Sequence, residues 1–215
     1  IDRRGAGILM IRAGTPRTLF ATKGIQPMKS MTKRLLAALL AVAALFALAG
    51  CSKSDKADAA PKDYTKILHD ARPDEDNEYY MIFSPGEDGK FTAQYGYSDS
   101  YDAAQLDEEI RNMLLPLLNL EEDMYTDFAA SVSSMMVQSY GIAIVKPAEG
   151  KQQAVSEALD AYVQSQMQSM EHYLEDQYQI AASSHISTAP TGEVILVCCE
   201  NPEAVMNAIK TALAA

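Results

Sequence analysis

Val194-Ile195-Leu196-Val197-Cys198-Cys199 is apolar at every position. Successive side chains of a strand point to opposite faces, so a strand with one wet face alternates in polarity. This one does not, and it reads as a central strand with both faces covered. Thr191-Gly192 supplies a turn before it, and His185–Ala189 supplies the partner strand of a hairpin. Glu193, at the mouth of the strand, reads as a surface acid whose removal should change stability little. After the strand, Asn201-Pro202-Glu203 offers an N-cap, a proline at the first helical position and an acid in the first turn. The helix it opens would bury Val205, Ile209 and Leu213.

Upstream of the hairpin, Tyr173–Ser183 is a looser stretch. Before it, Val155, Leu159, Tyr162, Val163, Met167 and Met170 make the apolar stripe of a long helix whose other face is Gln, Ser, Glu and Asp. Pro147-Ala148-Glu149-Gly150 turns the chain into that helix. Ser139–Lys146 and Phe128–Ser133 read as strands. Leu106, Ile110, Met113, Leu114 and Leu117 mark an earlier helix, disturbed at Pro116. Glu78–Ser84 and Lys90–Tyr97 flank Pro85-Gly86-Glu87-Asp88-Gly89 and read as a further hairpin. Tyr64, Ile67, Leu68 and Ala71 recur at helical spacing, in a first helix ended by Pro73. Residues 62–215 thus read as a single α+β domain. Its expected architecture is two-layer, with helices packed on one antiparallel sheet.

The chain before this domain has a different character. Residues 1–50 carry eight Lys/Arg against the single acid Asp2, and residues 51–215 carry 10 basic and 28 acidic residues. Lys29, Lys33 and Arg34 form a positive n-region, and Leu35 to Ala47 is an unbroken apolar run. Leu48-Ala49-Gly50-Cys51 then matches a lipobox. Small residues let a peptidase grip the backbone beside the scissile bond, and the thiol accepts a diacylglyceryl group. The run is shorter than the roughly 20 residues that span a bilayer. Residues 28–50 therefore read as a lipoprotein signal peptide, and Cys51 as the lipidated first residue of the mature chain. Residues 1–27, which precede Met28 and Met31, read as upstream sequence translated from too early a start. Residues 51–61 form a polar, flexible tether, with a reach of roughly 15–20 Å.

The search for chemistry is brief. With Cys51 acylated, only Cys198 and Cys199 remain; neighbours in one strand cannot pair in an ordinary disulfide and read as packing residues. His172 and Asp176 would share a face if a helix continued through them, but two ligands do not make a zinc site. Asp74, Asp76 and Glu78 fall at positions 1, 3 and 5 of a calcium loop. Position 6 is then Tyr79 where glycine is required, and position 12 is Pro85 where a bidentate Glu is required. Glu121-Glu122-Asp123 reads as a solvated helix start. Ser133-Ser134-Met135-Met136 and the other methionines read as gap-filling, with a Met-lined groove as the alternative. No nucleophile elbow, phosphate-cradling glycine loop or paired-cysteine motif is present in the sequence. No catalytic, cofactor-binding or metal residues are assigned.

The run Ser134-Met135-Met136-Val137, the strand Tyr140–Pro147, the Gln-rich helix, Tyr173 and Tyr178, and the closing Gly192–Val197 together resemble a known family. They are similar to small lipoproteins of Gram-positive anaerobes that carry the domain of unknown function 4358. The resemblance covers roughly residues 105–215 with the signal and tether, and leaves out the hairpin at 78–97. It implies location and architecture, and no catalytic or binding residue.

These features point to an extracytoplasmic lipoprotein on the outer face of the cytoplasmic membrane, held by lipid on Cys51, with a non-catalytic role in binding a protein or peptide. A small solute-binding lipoprotein of a transporter and a wall-modifying hydrolase are the other readings. The acidic body excludes nucleic acid as a partner, because phosphate neutralisation needs clustered Lys/Arg.

Overall fold

The computed structural model describes residues 61–215. The signal peptide, Leu48, Ala49, Gly50, Cys51 and the tether up to residue 60 lie outside the described residues.

The chain opens with α1 (Tyr64–Ala71), capped by the Asp63 side chain, which accepts from the Lys66 amide. Pro73 ends it as expected, and a short helix α2 (Asp74–Tyr79) follows at once, with Asp74, Glu75 and Asp76 in its first turn. Glu78 and Tyr79 therefore belong to a helix rather than to the expected strand. Acids at a helix start are favoured by the backbone dipole. The hairpin is β1 (Ile82–Pro85) and β2 (Phe91–Gln94), closed by a Gly86 amide to Lys90 carbonyl bond of 2.6 Å. β2 stops early because Tyr95 and Gly96 take left-handed conformations, at φ 66° and 53°.

After a 3-10 turn (Ser98–Ser100), α3 (Ala103–Glu109) starts on a capping box made by Asp102 and Gln105. It passes through a π turn (Ile110–Leu114) into the short α4 (Leu115–Leu117). Here lies the disturbance expected at Pro116. The proline ring would press on the carbonyl of Asn112 in a regular helix. The Leu115 amide instead bonds five residues back to Ile110, and the wider turn makes room.

β3 (Tyr125–Val132) and β4 (Gly141–Pro147) pair along their length. The long helix α5 (Gln152–Met170) follows, and the looser stretch forms α6 (Glu175–Ala182). β5 (His185–Thr188), β6 (Val194–Cys198) and α7 (Pro202–Ala214) complete the chain. Asn201 occupies the N-cap position of α7, although its side chain makes no capping bond.

The six strands form one antiparallel sheet in the order β2-β1-β3-β4-β6-β5. The expected α+β class, with helices packed on a single antiparallel sheet, is what the structure shows. The helices are shared between its two faces, so the sheet is the middle of three layers where two were expected. On one face Ile142, Ile144, Ile195 and Val197 meet α1 and α7, through Tyr64, Leu68, Val205, Ile209 and Leu213. On the other, Phe128, Ala143, Val145, Val194 and Leu196 meet α3, the π turn and α5, through Leu106, Ile110, Leu114, Val155, Leu159 and Tyr162. The physical reason is legible in β6: a strand apolar on both sides needs cover on both sides.

Candidate functional site

At one end of the sheet, α2, the turn after β2, the β3–β4 loop and the β6–α7 junction surround a cleft of about 770 Å³. Its walls are acidic and aromatic: Glu75, Asp76, Tyr79 and Tyr80 from α2 and its C-terminus, Tyr97 and Tyr101, and Glu200 beyond β6. The β3–β4 loop adds Ser133, Ser134, Met135 and Gln138. A smaller recess of about 150 Å³ shares Glu75, Asp76, Tyr80, Gln138 and Glu200 with the cleft and reaches Ser139, Tyr140 and Gln177.

The wall behind Asp76 is fixed by a buried guanidinium. Arg72, 5% exposed, follows the last turn of α1. It donates from Nε to Asn77 Oδ1 at 2.6 Å, from Nη1 to Ser131 Oγ at 2.7 Å and to the Tyr140 hydroxyl at 3.2 Å, and from Nη2 to the Tyr80 carbonyl at 2.6 Å. Every acceptor is neutral, and among the described residues no carboxylate lies within ion-pair distance of Arg72. Tyr80 and Tyr140 stack, with ring centroids 3.9 Å apart and planes 12° apart. Tyr140 is held further by the Tyr162 hydroxyl, which donates to its carbonyl at 2.8 Å. A Cβ on Gly141 would come within 2.7 Å of the Tyr162 ring, so a glycine is required there. Gly96 is required for a similar reason: a Cβ would lie 2.6 Å from the Tyr80 backbone, and its amide bonds the Asn77 carbonyl at 2.9 Å.

The electrostatics follow from this packing. Burial raises the Asp76 carboxyl above the usual carboxylate range; Glu75 and Glu200 add to the rise, while Arg72 and the Tyr140 hydroxyl oppose it. Burial first, then Asp76, pushes the Tyr80 phenol up to about 12. The Tyr80 phenol is therefore a neutral donor at any physiological pH. Ser139 is 2% exposed; its amide donates to Gln177 Oε1 at 2.9 Å, but its hydroxyl has no hydrogen-bond partner among the described residues.

The expectations drawn from the chain's polar runs meet the structure unevenly. The acidic run at 74–78 is helical and its Asn77 amide is engaged at both ends, so it has no calcium-loop geometry. Glu121-Glu122-Asp123 starts no helix. It forms a turn before β3 where Glu122 pairs with Arg111, and Asp123 pairs with Lys151 at 2.6 Å. His172, its side chain 91% exposed, lies between α5 and α6, so no helix brings it onto one face with Asp176. Among the described residues no group of three or more His, Cys, Asp or Glu could hold a metal ion. Met135 and Met136 are not filler: they are 57% and 88% exposed in the β3–β4 loop. The cleft itself went unread in the sequence. Its signal was the density of tyrosine among acids between residues 74 and 101: Tyr79, Tyr80, Tyr95, Tyr97 and Tyr101.

An α+β sandwich with a tyrosine-lined acidic cleft at one sheet end is thus the class that fold and site define. Residues 98–199 match the model of a family described as Domain of unknown function (DUF4358). The matched segment begins after the β1–β2 hairpin, as the resemblance implied, but stops before α7. It holds Tyr101, the β3–β4 loop and Ser139, whereas Glu75, Asp76 and Glu200 lie outside it. No curated protein and no solved structure matches the chain.

Proposed function

We propose that this chain is a lipid-anchored, extracytoplasmic binding module that presents its tyrosine-lined cleft to a protein or peptide partner, without catalysing a reaction. The observation that carries the binding role is the cleft of about 770 Å³ with Tyr79, Tyr97 and Met135 at its walls. Aromatic rings give large contact area at low conformational cost, and a thioether adapts to the shape of its partner. Leu48-Ala49-Gly50-Cys51 after its apolar run supports the anchor. The acidic body repels anionic headgroups and leaves the acyl chains on Cys51 to hold the membrane. Among the described residues no helix is long and apolar enough to cross a membrane.

Two measurements test the two halves. Metabolic labelling with a fatty-acid analogue should tag the protein, and Cys51→Ala should abolish the tag and leave an uncleaved precursor. A tag that survives the substitution contradicts the anchor. A photo-crosslinking residue in place of Met135 should give a discrete adduct on intact cells, and one in place of Asp160 on α5 should not. Equal yields at the two positions contradict a partner seated on the cleft.

A further inference from the structure

We propose that the partner enters the cleft through a lysine side chain, its ammonium seated among Glu75, Asp76 and Glu200 and hydrogen-bonded to Ser139 in the inner recess. This rests on the binding role given above and names its ligand chemistry.

Three independent features converge. The first is charge. Three carboxylates line both the cleft and its recess, while the Arg72 guanidinium is buried behind the wall and spends its donors on Asn77, Ser131, Tyr140 and Tyr80. An anion would meet like charge on entering; a cation meets none in the lining. The second is the aromatic lining. Tyr79, Tyr80, Tyr97 and Tyr101 offer ring faces that attract a cation and pack against its methylenes. The third is the hydroxyl of Ser139. Buried hydroxyls in native proteins are nearly always paired; Ser139 lines the recess, and its buried hydroxyl has no partner among the described residues. It is an acceptor waiting for a donor. The recess, about 150 Å³, has room for a side-chain arm, whereas the outer cleft of about 770 Å³ has room for the residues on either side. That division of space favours a peptide over a free amine.

Asp76 adds a pH dependence. The groups that face it are Arg72 at the end of α1, Glu75 on α2, Tyr80 after α2, Tyr140 before β4, and Cys199 and Glu200 after β6. Burial favours its protonated form, so at pH values below its raised range a cation must displace that proton. Affinity should rise as pH rises through the elevated Asp76 range, and then level off.

The test uses the full chain in a neutral detergent and three probes. These are a fluorescent Ala-Lys-Ala peptide amide, the same peptide with norleucine for lysine, and butylammonium alone. The lysine peptide should bind at least about tenfold more tightly than the norleucine peptide, the scale of one well-placed charge interaction. Asp76→Asn should remove most of that difference. Ser139→Ala should weaken the lysine peptide severalfold without lowering the melting temperature, because the hydroxyl has no hydrogen-bond partner among the described residues. Butylammonium should bind more weakly than the lysine peptide. Equal affinity for lysine and norleucine overturns the cation site, and so does full affinity in Asp76→Asn. A Ser139→Ala variant with unchanged affinity removes Ser139 from the site. In each of these cases the Met135 crosslink would still report a partner on the cleft, so the broader reading is judged separately. Butylammonium binding as tightly as the peptide would make the ligand a free amine and overturn the peptide assignment.

Discussion

Glu193 stands beside a surface turn and is nevertheless 4% exposed. One carboxylate oxygen accepts the Tyr64 hydroxyl at 3.1 Å and the other accepts Thr191. This joins α1 to the hairpin turn across 129 residues of sequence. Burial, with the carboxylate close by, drives the Tyr64 phenol far above its ordinary value, so it stays a donor. This burial and bonding point against the expectation that Glu193 can be removed at little cost. Glu193→Ala leaves a buried phenol unpaired and should cost about 1–3 kcal/mol in urea unfolding of the full chain. A change below about 0.5 kcal/mol would mean the bond contributes nothing. The sequence could not disclose this, because the partner residue lies at the far end of the domain and nothing local marks it. Arg72 was hidden in the same way. It reads as an ordinary basic residue before a proline, yet its guanidinium organises the wall of the cleft from behind.

At the scale of elements, β6 was the most legible part of the chain. Cys198 packs among the residues facing α5, and Cys199 among those facing α7. Both thiols are raised by burial, Cys199 to about 11. A thiolate is the reactive species, so a maleimide should modify neither cysteine in the native protein and both after denaturation. Rapid labelling of either one would expose a face of β6 to solvent and remove one helical layer. The less legible elements failed for physical reasons. The π turn is invisible to a periodicity argument built on 3.6 residues per turn, although Pro116 marked its place. Glu78 and Tyr79, the last residues of α2, read as the start of a strand because tyrosines favour strands intrinsically. The acids before them instead start a helix, and β1 begins only at Ile82. The β3–β4 loop is hard to read in the sequence because methionine is as suited to an adaptable contact surface as to a core gap. Only its exposure distinguishes the two, and that is a property of the fold.

Taken whole, the domain places its chemistry at one end of a sheet whose two faces are both covered. The charge asymmetry was plain from composition, and it bears on partner choice more than on fold. A cleft cannot be read that way, because its walls come from four segments between residues 75 and 200 that meet only in the folded chain. The matched segment supplies one wall, and the rest comes from residues on either side of it. Whether these walls act as one binding site is best tested on the full chain with its methionine methyls labelled with carbon-13. During titration with the lysine peptide, the Met135 methyl should shift and saturate. The methyls of Met170 at the end of α5 and Met206 on α7, both buried, should stay in place. A Met135 methyl that does not move, or shifts confined to other methionines, would contradict the cleft as the binding site.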